Sequence, residues 1–223
     1  MILEKSEDYR LDLSSLPEHL RPLAQETQQF LEVRSIYRAA IREVSTKLEI
    51  LDDEFRVKYD YNPIHHIECR VKSIQSIFSK LEKKGMEMTM AGVNALTDIA
   101  GIRVICNYKD DVYTIARLLV KQDDIELIRE KDYISKPKLS GYRSLHLVVL
   151  VPVFLSDAKK RVPVEIQIRT IAMDTWATLE HELKYKRKEQ LSEKDQLQLL
   201  RCAEAMAEVD RRMQDIHKEL KTT

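Results

Sequence analysis

The run Val164-Glu165-Ile166-Gln167-Ile168-Arg169 alternates without a break between apolar and polar side chains. In an extended strand that period puts Val164, Ile166 and Ile168 on one face and Glu165, Gln167 and Arg169 on the other. Upstream, Ser144 to Val153 repeats the pattern, with Leu145, Leu147 and Val149 toward a core and Ser144 and His146 opposite. Ile102 to Tyr108 and Ile125 to Ile134 are two further strand-like runs, separated by a helical stretch from Asp110 to Lys121. The turn from Ser156-Asp157 to Lys160 reads as a hairpin joining the last two strands. If the strands are neighbours, one polar sheet face collects Glu165, Gln167, His146 and Arg103, with Asp98 just before its strand.

Outward from these strands the period changes to that of a helix. From about Thr27 to Tyr59, Phe30, Tyr37, Val44 and Leu51 share a face with Val33, Ala40, Ile41, Leu48 and Phe55, and Asn62-Pro63 ends the run. Ser14 or Ser15 can cap a short helix starting at Leu16. A second helix is expected from about Cys69 to Lys84, burying Ile74, Ile77, Phe78 and Leu81, with Gly85 as a left-handed stop. From Ile171 the chain returns to helix and ends in a heptad-like seam: Leu199, Met206, Met213 and Leu220 beside Cys202, Val209 and Ile216. The seam fits packing against the long amino-terminal helix, a contact between subunits, or both. The fold class is α+β, a mixed sheet of four or five strands flanked by helices, in one compact domain. Its parts are an amino-terminal helical extension (1–59), a core (60–190) and a carboxy-terminal helix (191–223).

Composition narrows the function. The chain has 223 residues and balances 37 basic against 37 acidic side chains, so its surface as a whole is not built to hold nucleic acid or an anionic membrane. The three cysteines, Cys69, Cys106 and Cys202, are far apart, which suits idle thiols in a reducing compartment. The first residues do not read as a signal peptide, and no apolar run reaches the roughly 18 residues of a spanning helix. A cytoplasmic location is expected. His65, His66, Glu68 and Cys69 offer metal donors, although such compact spacing is no standard zinc pattern.

The polar face carries the chemistry. Asp98 and Glu165, with cations around them, suit Mg²⁺, which takes one or two carboxylates and completes its shell with water and phosphate oxygens. Asp98 stands beside Ala100 and Gly101, where a substrate can approach the backbone. The loop before the third strand carries Lys131, Lys136, Lys138 and Arg143 against one acid, Asp132, and can hold phosphates. Tyr142, beside Gly141 on a mobile turn, offers a flat ring for a base. Arg70, Lys72 and Lys80 form a second cationic set, expected on the second helix.

Together RVKSIQSIFSK, TDIAGIRVIC, KDYISKPKLSGYRSLH and EIQIRTIAMDTWATLEHELKYK resemble, in this order, the synthetase domain of the RelA/SpoT family. The resemblance covers about residues 60–190, and the short chain with helical flanks looks like the small alarmone synthetases. It implies a nucleotidyltransferase-like core that moves the β,γ-pyrophosphate of ATP to the 3′-hydroxyl of GDP or GTP and releases AMP. No HD dipeptide occurs, so the expectation is a synthetase without the paired hydrolase. By resemblance Asp98 is a Mg²⁺ ligand, and Glu165 helps hold the metal and acts on the acceptor hydroxyl. Arg70 and Arg103 sandwich the adenine, while Lys72, Ser76 and Lys80 handle the ATP phosphates. Tyr142 resembles the tyrosine that stacks on guanine; the resemblance assigns Lys131, Lys136, Lys138 and Arg143 to the acceptor phosphates and places His146 and Gln167 at positions lining the site. The resemblance also suggests a homotetramer.

Two competing readings remain at this level. A regulator could use the loop lysines on RNA, but a chain that had lost catalysis would have no reason to keep Asp98 and Glu165. A nucleotidyl-transferring enzyme would release pyrophosphate instead of AMP, and only the motifs speak against it.

Overall fold

A computed structural model describes residues 21–186 and 192–222. The helix start proposed at Ser14 to Leu16 lies outside them. The order is α1 (Arg21–Lys58), β1 (Ile64–Val71), α2 (Ile74–Lys83), α3 (Met90–Asn94), β2 (Ala100–Cys106), α4 (Lys109–Val120), β3 (Glu126–Asp132), β4 (Leu145–Phe154), β5 (Lys159–Thr170), α5 (Ile171–Lys186) and α6 (Glu193–Thr222). The five strands form one mixed sheet in the order β1-β2-β5-β4-β3, in which only β2 and β5 are parallel.

Alternation on the three central strands, relaxed at Ile105 and Val148, gives the sheet two unlike faces. Ile102, Val104, Leu145, Leu147, Val149, Val164, Ile166 and Ile168 are fully or almost fully buried. They join one core with Tyr37, Ala40, Ile41, Val44 and Leu48 of α1 and Val112, Ile115 and Leu119 of α4. Burial of these side chains, each worth roughly 1.5–3 kcal/mol, fixes the register. A slip of one residue would turn Glu165 and Gln167 into that core.

One expectation fails between Cys69 and Lys84. The segment does not run as a single helix: Ile64–Val71 is strand β1, additional to the four strand-like runs, and the helix begins only at Ile74. Arg70 therefore sits on β1, Lys72 in the connection, and Lys80 alone of that set on α2. Ser73 marks the boundary, its Oγ accepting from the Ser76 amide at 3.2 Å as a helix cap. The overlooked signal was the alternation Ile67-Glu68-Cys69-Arg70-Val71, masked upstream by a register shift between Ile64 and His66.

The helical tail also packs differently from one of its expected modes. α6 lies on α5 and α4 through Ala203, Met206, Asp210 and Gln214. Trp176 Nε1 of α5 donates to Leu199 O at 2.9 Å, and the Asp110 amide of α4 donates to Gln214 Oε1 at 2.9 Å. The seam residues Val209, Met213, Ile216 and Leu220 stay exposed. The inward face of α6 is set by a small residue and two buried polar ones, which an apolar heptad count passes over.

Candidate active site

Register builds the site. Glu68, Arg103, Gln167, His146 and Lys131 are successive cross-strand partners, one from each strand, and form a polar row across the whole sheet. Two residues along, the next row on the same face runs Arg70, Gly101, Glu165, Val148 and Arg129. Gly101 has no side chain between Arg70 and Glu165, so the sheet face is bare there. An open cleft of about 690 Å³ lies over it, lined by Arg70, Lys72, Ser76, Asp98, Arg103, Glu165 and Gln167 together with Glu68 and Cys69.

At one end of the cleft Asp98 is nearly buried and held by two ammonium groups. Lys72 Nζ donates to Asp98 Oδ2 and to the Asp98 backbone oxygen, each at 2.8 Å, and Lys80 Nζ also reaches Oδ2. Burial works to raise the Asp98 carboxyl, but the two lysines outweigh it and leave the group below its ordinary value. Arg103 Nη1 is 2.9 Å from Glu68 Oε2 and 3.5 Å from Asp174 Oδ1. Its Nε is buried without a hydrogen-bond partner, an unmet donor in the wall of the cleft.

Glu165 sits between the ends. Burial pushes its carboxyl up and so does the charge of Asp98, yet His146 and Gln167 prevail and hold it below the ordinary value. Gln167 Nε2 donates to Glu165 Oε2 at 3.1 Å, and His146 Nδ1 faces Glu165 Oε1 at 3.7 Å.

The other end of the site, past Gln167 on the same sheet face and beyond the residues that line the cleft, is aromatic and directional. Tyr142 Oη and His146 Nε2 are 2.8 Å apart, and Tyr133 meets both rings edge-on. Lys138 Nζ lies 4.6 Å from the centres of the Tyr133 and Tyr142 rings. Arg169, nearly buried, donates to Tyr142 Oη at 2.6 Å and to Gln167 Oε1 at 2.7 Å. The loop base is tied by Asp132, whose Oδ1 accepts from the Ile134 and Ser135 amides at 2.8 and 3.0 Å.

Two placements depart from the sequence reading. Gly141 is not on an open, mobile turn: it is buried, with φ +89, and a Cβ there would stand 2.5 Å from Ala203 Cβ of α6. Arg143 turns away from the cleft and donates to Gly141 O at 3.0 Å and Ala203 O at 3.3 Å, beside the buried Asp210. Lys131 stays on the polar row, while Lys136 is exposed on the loop. Arg169, Asp174 and Tyr133 are additions from the structure; only Arg169 had been placed on the polar face. The metal site considered at His65 to Cys69 does not form, because the extended strand sends Glu68 and Cys69 to opposite faces. Among the described residues, no group of three or more His, Cys, Asp or Glu is gathered as a metal cage.

Two carboxylates in a cation-walled cleft, with an aromatic shelf beside it on the same sheet face, define a nucleotide-handling site suited to phosphoryl chemistry. Comparison with known proteins agrees: the region found in RelA / SpoT proteins matches residues 69–190, and the chain belongs to that family. GTP pyrophosphokinase YwaC of Bacillus subtilis is 40% identical over 186 residues, covering 83% of this chain and 89% of the relative. GTP pyrophosphokinase YjbM of the same organism is 39% identical over 184 residues, covering 82% and 86%. The crystal structure of small alarmone synthetase 1 from B. subtilis bound to its product pppGpp superposes with TM-score 0.80 at 38% identity, covering 86% of this chain and 98% of that one. Small alarmone synthetase 2 from B. subtilis gives TM-score 0.78 at 38% identity, covering 85% and 98%. The α+β class and the five-stranded sheet are those of these synthetases.

Proposed function

We propose that the chain is a (p)ppGpp synthetase of the stringent response: it transfers the β,γ-pyrophosphate of ATP to the 3′-hydroxyl of GDP or GTP, releases AMP, and has no hydrolase activity. The observation that carries this is the position of Glu165, which shares a cleft with the Lys72–Asp98–Lys80 cluster and on its other side meets Gln167 and His146, with Tyr142 behind His146. A donor triphosphate fits the first group, and an acceptor nucleoside fits the second.

The residues fit a divalent cation: Asp98 and Glu165 are partly or nearly buried oxygen donors whose charges act on each other in one cleft. Asp98 and Glu165 would hold Mg²⁺, which when bound supplies positive charge to the triphosphate. Arg70 and Arg103 are the cations for the adenine, and the unmet Arg103 Nε gives one of them a free donor. Lys72 and Lys80 can pass from Asp98 to phosphate oxygens, with Ser76 in the first turn of α2 beside them. Tyr142 offers its ring to guanine, where Lys138 now lies over it; Lys131, Lys136 and Lys138 are the cations for the acceptor phosphates.

Glu165, held anionic, accepts the proton of the 3′-hydroxyl as that oxygen bonds to the β-phosphorus. The bond from the β-phosphorus to the bridging oxygen breaks, and AMP leaves with that oxygen. A carboxylate below its ordinary value is a weak base, so proton transfer comes late, and most of the rate derives from alignment and charge. The exposed stripe Val209, Met213, Ile216 and Leu220 of α6 supports a homotetramer as the assembled form. The nucleotide substrates favour the cytoplasm, and no described helix is long and apolar enough to cross a membrane.

The test is incubation with Mg²⁺, GDP and ATP labelled at the β-phosphate, beside a Glu165→Gln control. Label on the guanosine product with equal release of AMP, and a silent control, is the expected result. Intact ATP with GDP, GTP and GMP alike from folded protein would overturn the reading and direct attention to RNA binding.

A further inference from the structure

Arg169 bears no role in the chemistry described so far, yet it is almost completely buried and touches four side chains. A guanidinium can only donate, so each neighbour must offer it an acceptor. Arg169 Nη2 takes Gln167 Oε1 at 2.7 Å, which leaves the Gln167 amide nitrogen to donate to Glu165 Oε2 at 3.1 Å. The same Nη2 takes Tyr142 Oη at 2.6 Å. The one hydroxyl proton of Tyr142 then points to His146 Nε2, 2.8 Å away, making that nitrogen the acceptor. A neutral His146 must carry its proton on Nδ1, the nitrogen that faces Glu165 Oε1 at 3.7 Å. Both arms start at one guanidinium nitrogen and end on the two oxygens of one carboxylate. Asp174 anchors the origin, 3.0 Å from Arg169 Nη1 and 3.5 Å from Arg103 Nη1.

We propose that Arg169 is a positioning residue for the reaction: it sets the direction of two arms that fix the orientation of Glu165, one hydrogen-bonded throughout by way of Gln167 and one by way of Tyr142–His146 that closes on Glu165 as a 3.7 Å polar contact. This rests on Glu165 being the base of pyrophosphate transfer. Lysine cannot replace the fork, because one ammonium on a flexible stem does not hold Gln167, Tyr142, Ser144 and Asp174 in one plane.

Arg169→Lys, Tyr142→Phe, Gln167→Leu and their combinations are compared in steady-state assays. Tyr142→Phe keeps the ring and cuts one arm; Gln167→Leu cuts the other. Each single cut is expected to lower kcat about tenfold, the size of one charge-assisted hydrogen bond, with the KM for ATP unchanged. Arg169→Lys should match the double cut, and adding it to the double cut should cost nothing more. A full, independent loss from Arg169→Lys on top of the double cut overturns the proposal, as does an Arg169→Lys enzyme with wild-type kcat. If Arg169→Lys does not fold, the two partly exposed single variants decide: a rise in KM with wild-type kcat overturns it. The proton on His146 is read apart from turnover by nitrogen-15 NMR of histidine-labelled protein. An Nδ1–H form in the wild type supports the relay; an Nε2–H form sinks it. Absence of turnover together with the Nδ1–H form would refute the pyrophosphate-transfer reading and leave the relay standing.

Discussion

The two ends of the site are held by different forces. Around β1, α2 and β2 the functional groups neutralise one another: Lys72 and Lys80 close on Asp98, and Arg103 leans on Glu68. Around β4 and β5 they are locked by hydrogen bonds of fixed direction and by rings, from Arg169 through Tyr142 to His146, with Gly141 pressed against α6. If a triphosphate binds as proposed, the first end must exchange its ion pairs to receive it. The second already has its shape. On the proposed reading, a polyanion meets mobile charge and a base and hydroxyl meet rigid geometry, with Glu165 between them.

Asp98→Asn should break the ion-paired end most severely. It removes the counter-charge of two lysines and the proposed metal donor, and activity should fall about a hundredfold or more in a Mg²⁺ titration of rate. Survival of activity at saturating Mg²⁺ would remove Asp98 from the donor end.

The rigid end is tested by Gly141→Ala. The left-handed φ of +89 and the close approach to Ala203 make the methyl group unwelcome, at a cost of about 1–3 kcal/mol. A lowered Tm with a raised KM for the guanine nucleotide is expected. An unchanged Tm would mean that α6 does not clamp this loop.

Acid titration separates the ends by charge. Asp98 and Glu165 titrate below their ordinary values of 3.8 and 4.5, chiefly because lysines offset burial at one and His146 and Gln167 offset it at the other. A depressed carboxylate contributes stability that is complete above its unfolded value and is lost as pH falls through the folded one. Stability should therefore decline on acidification below those ordinary values, and Asp98→Asn should flatten part of the decline in denaturant melts at successive pH values. An identical slope would mean that the lysines do not hold Asp98 in solution.

The smallest effect belongs to Glu68→Gln. Its pair with Arg103 is substantially exposed and contributes under about 1 kcal/mol. Stability should hardly change while the KM for ATP falls modestly, because Arg103 is released for the base. A rise in KM would make Glu68 a partner of the nucleotide instead of a competitor.

Much of this division was legible in the residues. Period-2 alternation over Ser144 to Val153 and Val162 to Arg169 placed Glu165, Gln167 and His146 on one face, because burial of the opposite face admits one register only. β1 was not legible as a strand, since the register shift near His66 breaks its alternation and Ser73 lets the following helix claim its end. Arg143 and Gly141 escaped for another reason. A cation in a lysine-rich loop looks like a phosphate ligand, and only α6, distant in sequence, shows that it is spent on Ala203 O. Arg169 stood on the polar face from the start, but its reach to Tyr142 depends on tertiary approach across strands.

The most direct test of a site divided into donor and acceptor ends is calorimetric titration of Glu165→Gln protein, which is expected to bind without turnover. An ATP analogue with a methylene between the α- and β-phosphorus, and separately GDP, are titrated into this background and into versions carrying Arg103→Ala or Tyr142→Ala. Loss of analogue binding alone with Arg103→Ala, and of GDP binding alone with Tyr142→Ala, is the expected result. Parallel loss of both nucleotides in either variant, or of neither, would contradict the division.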